Sequence, residues 1–503
     1  MATMVQLKVS SSYSKNLYWW RLFDDFVDGS KASVSKHLIR YNSETENTKE
    51  GRAAFAGRLA RAYNENHCKC YLEVHVGHMA QAIDFNLPEG PVWDEIRADA
   101  TQFGQDSIGI AREMLWDYCQ DGIVGVLVDQ EAVVPATQGE AAAANSRSYQ
   151  VRYEAEEILN YEYFRRGPNK GKLSLVLLSN GYASIDGKAY QLLREYRMDE
   201  SGLVGFIDYR TDAKFTISND GEITAEAVGV GTIGIRGEIP FVLMGCDAEE
   251  SLIKDSAEGN AALFNRLSIR DNVNHYQGFQ KVIVAGAAPE ELSVMNESTI
   301  TVCQRSEVSV HEIPAGEPAA IERQIMEIRA YLRRVGMKEY NQLADDSKNI
   351  QSAESKEKDT KARKELYDQI LDLQTEALTK IYRLHGLFEG LSDAEREAIS
   401  VSITREYGLD DKVQEAAERQ QAFSMAATLG VDRVEKELLK AVVSRQRFVA
   451  TDELDEEEVR AECYAAIDEA QPGSAIANRF GGQAPAPGAS PNGRPDLTSL
   501  LTQ

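Results

Sequence analysis

The chain has 503 residues, 43% of them hydrophobic and 27% charged, a balance that fits packed globular domains and excludes a wholly disordered protein. No run approaches the roughly 20 apolar residues of a bilayer-spanning helix. Met1 to Gln6 lacks the charged and apolar regions of a secretory leader, so a soluble, cytoplasmic protein of several domains is expected. The 80 acidic and 55 basic residues leave a formal charge of −25, which argues against an ordinary nucleic-acid-binding module because such a surface repels phosphate. The same charge suits a wall past which DNA slides without sticking, and it also suits plain solubility.

The chain begins with mixed helix and short strands. Arg52 to Asn66 carries Phe55, Leu59 and Ala62 at helical spacing. His67, Cys68, Cys70, His75 and His78 form the one cluster with metal-ligand chemistry, since thiolate and imidazole suit zinc. Cys-x-Cys is not the usual Cys-x-x-Cys knuckle, however, and no second pair follows. Reduced thiols are therefore expected, with no bound metal and no cofactor, and Tyr71 to Val74 reads as a strand. Six cysteines in a chain of this length are too few for a disulfide framework. Asp106 to Cys119 is a second helix, broken at Asp121-Gly122, and Val124 to Val128 is a buried strand. Residues 130–148, with an alanine run from Ala141 to Ala144, form a surface excursion. Tyr149 to Tyr153 is then a strand and Glu154 to Leu159 a short helical turn.

Residues 172–245 are rich in strands. Leu173 to Leu178, Tyr190 to Arg197, Val204 to Arg210 and Lys214 to Ser218 alternate with turn signals at Asn180-Gly181, Asp186-Gly187, Ser201-Gly202 and Asn219-Asp220-Gly221. Short runs joined by tight turns predict an antiparallel meander. Gly229-Val230-Gly231 lies between strand candidates and lacks both the third glycine and the following helix of a dinucleotide fingerprint.

The pattern changes at Lys254, where a helix to Gln280 is predicted. Val282 to Ala285, Thr299 to Val302 and Glu307 to Ile313 are strand candidates, and a second helix runs from Ala319 to Leu343. Ile321, Ile325, Ile328, Leu332 and Val335 follow alternating spacings of four and three, a seam made to pack on another helix. Asp345-Asp346-Ser347-Lys348-Asn349 interrupts. A third long helix, Ser352 to Leu387, carries an apolar stripe of Leu366, Ile370, Leu373, Ala377, Ile381 and Leu384. Helical segments follow over residues 412–470: Val413 to Leu429 stops at Gly430, Asp432 caps the next, and nine acids with one arginine fill 452–470. The tail from Gln471 is rich in Pro, Gly, Ala and Ser and is expected to be disordered.

The chain lacks the phosphate-binding Gly-x-x-x-x-Gly-Lys-Ser/Thr loop, which argues against an ATP motor, and it lacks His-Glu-x-x-His and Gly-x-Ser-x-Gly. No catalytic residues are assigned, and a non-enzymatic protein is expected.

Several stretches in order resemble the portal proteins of tailed bacteriophages. Arg52 to Asn64 resembles the family's early helix, Val76-Gly77-His78-Met79 the glycine turn after it, and Gly122 to Asp129 its buried strand. Tyr149 to Asn160 is similar to the next block of the family, and Ile239-Pro240-Phe241-Val242 to the stretch before its first long helix. Ala427 to Leu439 resembles a helix-turn-helix near its C-terminus. The likeness spans residues 40–470.

That resemblance implies an α+β portal fold with an α/β wing, a two-helix stem, a small β-rich clip and a helical crown. On this chain it implies a wing over 1–253, stem helices over 254–280 and 319–343 and a clip over 281–318. A tunnel loop would cover 344–353, a long wing helix 354–390, a crown 391–470 and a tail 471–503. It further implies a homo-oligomeric ring, usually of twelve subunits, at one capsid vertex of the virion, assembled in the host cytoplasm. Viral double-stranded DNA would be packaged and ejected through it. Terminase and then head–tail adaptor proteins would dock on it, with capsid or scaffold proteins around it and no membrane.

On that reading Asp345 and Asp346 repel DNA and Lys348 makes weak, reversible phosphate contacts; Arg333, Arg334 and Lys338 do likewise, or are solvated faces or inter-subunit ion pairs. Neighbouring subunits bury the seam from Ile321 to Val335. The alternatives are another ring-forming head–tail protein, such as an adaptor, or a DNA-processing enzyme.

Overall fold

The computed structural model describes residues 4–130, 147–212, 217–218, 221–277, 282–285, 299–302, 316–336, 353–405 and 407. These lie in the first of the chain's two units, Met1–Tyr407; the second is Gly408–Gln503. The described part is α+β, with helices packed beside a predominantly antiparallel set of sheets.

Strand β1 (Met4–Lys8) precedes α1 (Ser11–Asp28), which Ser10 caps by accepting from the Ser12 amide and Gly29 ends in a left-handed conformation. Trp20, Leu22, Phe23 and Phe26 form its buried face. Then come α2 (Lys31–Val34), α3 (Lys49–Arg61) and α4 (His67–Met79). Helix α3 stops five residues before the expected end, because Ala62 leaves helical geometry and Asn66 starts a new helix by accepting from the Lys69 amide at 3.0 Å. This corrects the strand expected over Tyr71 to Val74 and the turn expected over Val76 to Met79. Cys68, Tyr71, Leu72, His75, Val76 and Met79 are spaced as one buried helical face, and hydrophobicity alone did not separate that from a strand.

Strand β2 (Ile83–Asn86) and α5 (Pro91–Ala98) lead to α6 (Ser107–Asp121), capped by Asp106. Gly122 ends α6 at φ +74°, where a Cβ would meet the Asp247 carbonyl at 2.1 Å, so both backbone shape and space require glycine. Strand β3 (Ile123–Gln130) lies between β4 (Ser148–Tyr153) and β10 (Phe241–Gly245), antiparallel to both. Its continuous apolar run reflects burial on both faces.

The larger sheet has the order β1-β9-β8-β7-β6-β5, built from β5 (Ile158–Tyr163), β6 (Leu173–Ile185), β7 (Lys188–Met198), β8 (Leu203–Asp212) and β9 (Glu222–Arg236). The meander was legible, but two of its details were not. Asn180-Gly181 is no turn: the register slips between Ser179 and Tyr182 and β6 continues through a bulge. Gly229-Val230-Gly231 lies inside β9, a strand too rich in glycine to read as one. The expected strand over Lys214 to Ser218 and the excursion over 130–148 fall largely outside the described residues.

Helices α7 (Lys254–Gln277) and α8 (Gly316–Gly336) follow, with β11 (Val282–Ala285) and β12 (Thr299–Val302) paired in parallel between them in sequence. Helix α9 (Ala353–Phe388) then crosses the small sheet, and α10 (Asp393–Ala398) and β13 (Ser400–Ile403) close the described part, β13 pairing with β2. The expected stripe of α9 is corrected in part: Leu373 is 40% exposed, while Tyr367, Leu371, Leu378, Tyr382 and His385 are buried. At its end His385 is neutral, its pKa pushed down to about 3 by burial and then by Arg147. Nε2 accepts from the Gln150 amide at 3.0 Å and Nδ1 donates to Ser148 Oγ at 2.8 Å.

A pH dependence arises at the end of α6. Asp121 is buried, and its Oδ1 has no hydrogen-bond partner among the described residues. Burial, then the charges of Asp24 and Asp117, hold its pKa well above the ordinary range. The folded chain therefore keeps a proton that the unfolded chain releases above about pH 4, so this group's contribution falls as pH rises from there. Asp121→Asn is expected to raise stability by roughly 1–2 kcal/mol at pH 7 and by much less at pH 4.5. Urea midpoints at the two pH values check this, and an equal shift at both would show that the carboxyl titrates normally.

Candidate functional site: a pair of long helices

Helix α7 has 24 residues and is roughly 36 Å long; α8 has 21 and is roughly 32 Å long. They run antiparallel, because Arg270 near the end of α7 meets Glu322 near the start of α8 at 3.9 Å, whereas Gly259 of α7 lies against Leu332 and Tyr331 of α8. A Cβ on Gly259 would stand 2.7 Å from Leu332 Cδ2, so glycine permits the close approach of the two helices here.

The seam of α8 packs inside the chain. Ile325 and Leu332 are fully buried with Leu263, Leu267 and Tyr71, and Ile321 and Ile328 are half-buried against them; Val335 is half-buried at the end of the same helix. For Ile325 and Leu332 this corrects the expectation that neighbouring subunits bury the seam; Ile321, Ile328 and Val335 keep part of their surface open. The four-three spacing did signal a helix partner, but the partner is α7 of the same chain.

Polar side chains fasten the pair to the rest of the unit. Asn260 Oδ1 accepts from the His67 amide at 2.9 Å, and Asn265 bridges His37 O and the Ile39 amide at 3.0 and 2.8 Å. Arg58, buried on α3, donates to Ser268 at 3.0 Å and to both oxygens of Glu44 at 2.7 and 2.6 Å. On α8, Arg329 forms a two-point pair with Glu65. The α8 end is held by His75: Nε2 donates to Gly336 O at 2.6 Å and Nδ1 accepts from the Tyr367 hydroxyl at 2.7 Å. Burial fades toward the opposite end of the pair. After Ser268 no side chain of α7 is buried among those described, and none on α8 before Ile325.

Arg333 is exposed and Arg334 half-buried in the last turn of α8, the latter 5.7 Å from the Tyr331 ring. They therefore stand at the fastened end of the pair, where positive charge also complements the helix dipole. Lys338, Asp345, Asp346 and Lys348 lie outside the described residues, as do most of the expected clip and crown and the whole tail. Outward positions of the pair carry charge of both signs, with Asp255, Glu258 and Arg266 on α7 and Arg323 and Glu327 on α8.

The cysteine and histidine cluster is dispersed by its helix. Cys68 and His75 face the core and Cys70 faces solvent, while His67 meets Glu65 at 3.3 Å and His78 Nδ1 meets Tyr407 O at 3.0 Å. Among the described residues no three His, Cys, Asp or Glu side chains are grouped to hold a metal ion. No described helix is long and apolar enough to cross a membrane. Arg58 and Glu44 were missed in the sequence and His75 was read only as a metal-ligand candidate, since a polar side chain reads as solvent-facing or reactive until its buried partner is placed.

No protein-family model matches the chain, and no curated protein matches it. Among solved structures it is similar to a chain in the neck of an empty GTA particle computed with C6 symmetry, at 10% identity and a TM-score of 0.28, covering 73% of this chain and 87% of that one. A likeness of that size carries no argument about this protein's fold or role.

Proposed function

We propose that this chain is the portal subunit of a tailed bacteriophage, a non-enzymatic structural protein that forms a ring at the capsid vertex for the passage of double-stranded DNA. The observation that carries the reading is the antiparallel pair α7 and α8, fastened at one end to the wing-like α/β body, with strands β11 and β12 between them in sequence at the less buried end. In this reading the pair is the stem, residues 281–318 are the clip that receives terminase and then adaptors, and 344–353 is the loop facing DNA. Helices suit a channel wall because they satisfy their own backbone groups. A parallel two-stranded ladder such as β11–β12 is marginal alone, which supports its completion by neighbouring copies.

The outward charges of both signs on the pair, with the net charge of −25, suit a wall that does not hold phosphate. Arg333, Arg334, Lys338 and Lys348 would make brief phosphate contacts, and Asp345 and Asp346 would keep DNA from settling. Ile325 and Leu332 are buried within the chain, so the subunit interface draws on other surfaces as well. ATP hydrolysis belongs to the docked terminase.

Mass photometry and negative-stain microscopy of the purified chain test the proposal. Rings with a central hole and a narrow stem, around twelve subunits in size, are the expected result. A compact monomer at every concentration would overturn it, and flat rings without a stem would point to an adaptor.

A further inference from the structure

Phe103 is the most exposed large apolar side chain among the described residues, at 92%, and it is not on a loose segment. The turn that carries it is closed by Ala100 N donating to Gln105 O at 2.7 Å and by Gly104 N donating to Asp99 Oδ1 at 2.9 Å. Phe103 N donates to Thr101 Oγ1 at 3.2 Å, Gln102 adopts φ +65°, and the buried Arg147 pairs with Asp99 at 3.2 Å. A left-handed non-glycine residue is uncommon and is sustained here by these bonds. The ring is thus held outward, preorganised, with no partner among the described residues to cover it.

Elsewhere the same chain has a groove of about 500 Å³ between α1, α7 and residues 37–41. Leu22 and Arg58 form its buried floor, Tyr18 (63% exposed) and Ile39 (70% exposed) form its lips, and Ala262 and Ile269 line the α7 side. One aromatic ring fits that volume with room to spare. The lips expose two large apolar side chains at one groove, unlike singly scattered surface residues.

Charge favours the match. Of the polar groups lining the groove, Arg58 and His37 already meet Glu44 and Asp25, which leaves the exposed Arg266, without an ion-pair partner among the described residues, as the outward cation. The knob is flanked by the exposed Asp106, with Asp94 and Glu95 exposed on the preceding α5; Asp99 beside it is paired with Arg147, and Arg97 lies over the Phe85 ring at 6.0 Å. A knob and a hole at different places on one chain make a heterologous contact, the kind that closes rings.

We propose that Phe103 of one copy inserts between Tyr18 and Ile39 of the next, and that this contact links neighbouring subunits of the assembly. The inference rests on the ring-forming reading above and adds a surface beyond the α8 seam, whose Ile325 and Leu332 are buried within the chain.

The test compares wild type, Phe103→Asp and Ile39→Glu, full length, by mass photometry across a concentration series. Circular dichroism and thermal melts check the fold, which both exposed positions should leave unchanged. Each variant is expected to need at least about thirty-fold more protein to assemble, the effect of losing a central aromatic anchor. A cross-link supplies the second readout, with Cys70, Cys246, Cys303 and Cys463 replaced by Ser. Subunits carrying Phe103→Cys mixed with subunits carrying Ile39→Cys should form disulfide-linked dimers, and neither alone should do so. If wild type assembles and both variants assemble at the same concentration, this contact is overturned while the ring reading stands. Loss of assembly with Phe103→Asp but not Ile39→Glu overturns the groove as the docking site. A wild type that never assembles overturns both.

Discussion

Arg58→Ala is expected to destabilise the unit containing residues 1–407 by about 3–5 kcal/mol, the cost of breaking a buried pair by removing one partner. Arg58 is only 2% exposed and satisfied on several sides: Glu44 receives two bonds, Ser268 and Ile39 O one each, and the guanidinium lies 4.0 Å from the Tyr41 ring. Truncation leaves the buried Glu44 carboxylate facing a void, with the Tyr41 amide at 3.0 Å as its one remaining hydrogen-bond partner among the described residues. Burial raises the pKa of Glu44, but the bonds from Arg58 and that amide outweigh it and hold the carboxyl below its ordinary range. The pair therefore contributes above the unfolded carboxyl pKa, and its contribution is lost as pH falls through the lower folded value. Chemical denaturation of Arg58→Ala against an Arg58→Met/Glu44→Leu double variant separates the two effects. The double variant should recover much of the loss, since an apolar pair leaves no unpaired charge. Equal stability of wild type and Arg58→Ala would show that the pair is not closed in solution.

Leu332→Ala is expected to cost about 2–5 kcal/mol, because its side chain fills the contact between the two long helices and the cavity left behind cannot collapse against fixed backbones. Leu373→Ala, on α9, makes the control. Leu373 is also a leucine in a helical apolar stripe, but it is 40% exposed and its loss should cost under about 1 kcal/mol. Thermal melts of the two variants decide whether the α7–α8 pairing is part of the cooperative unit. A Leu332→Ala variant as stable as Leu373→Ala would mean that α8 contributes little to it. On the ring reading, the same variant should also shift assembly to higher concentration, because a displaced stem misplaces every subunit around it.

Much of the architecture was legible in the residues alone, for reasons that are local. Helix α8 carries apolar residues at alternating spacings of four and three, α6 lies between an Asp cap and a glycine stop, and β3 reads as a short apolar run closed by turn residues. The hairpins at Asp186-Gly187 and Ser201-Gly202 lie where the turn chemistry requires them. These features depend on neighbours a few residues away, and the sequence contains those neighbours.

What only the tertiary structure decided is which partner each surface meets. The spacing of Ile321 to Val335 called for a helix without saying whose, and α7 of the same chain took that place by virtue of Gly259. The helical burial of Tyr71 to Met79 depended on α7, α8 and α9 closing around it, and the roles of Arg58, His75 and Asp121 depended on groups up to 292 residues distant in the chain. Long-range pairing of charge and shape has no local signature, because the energy of such a contact resides in a geometry that exists only once the chain has folded.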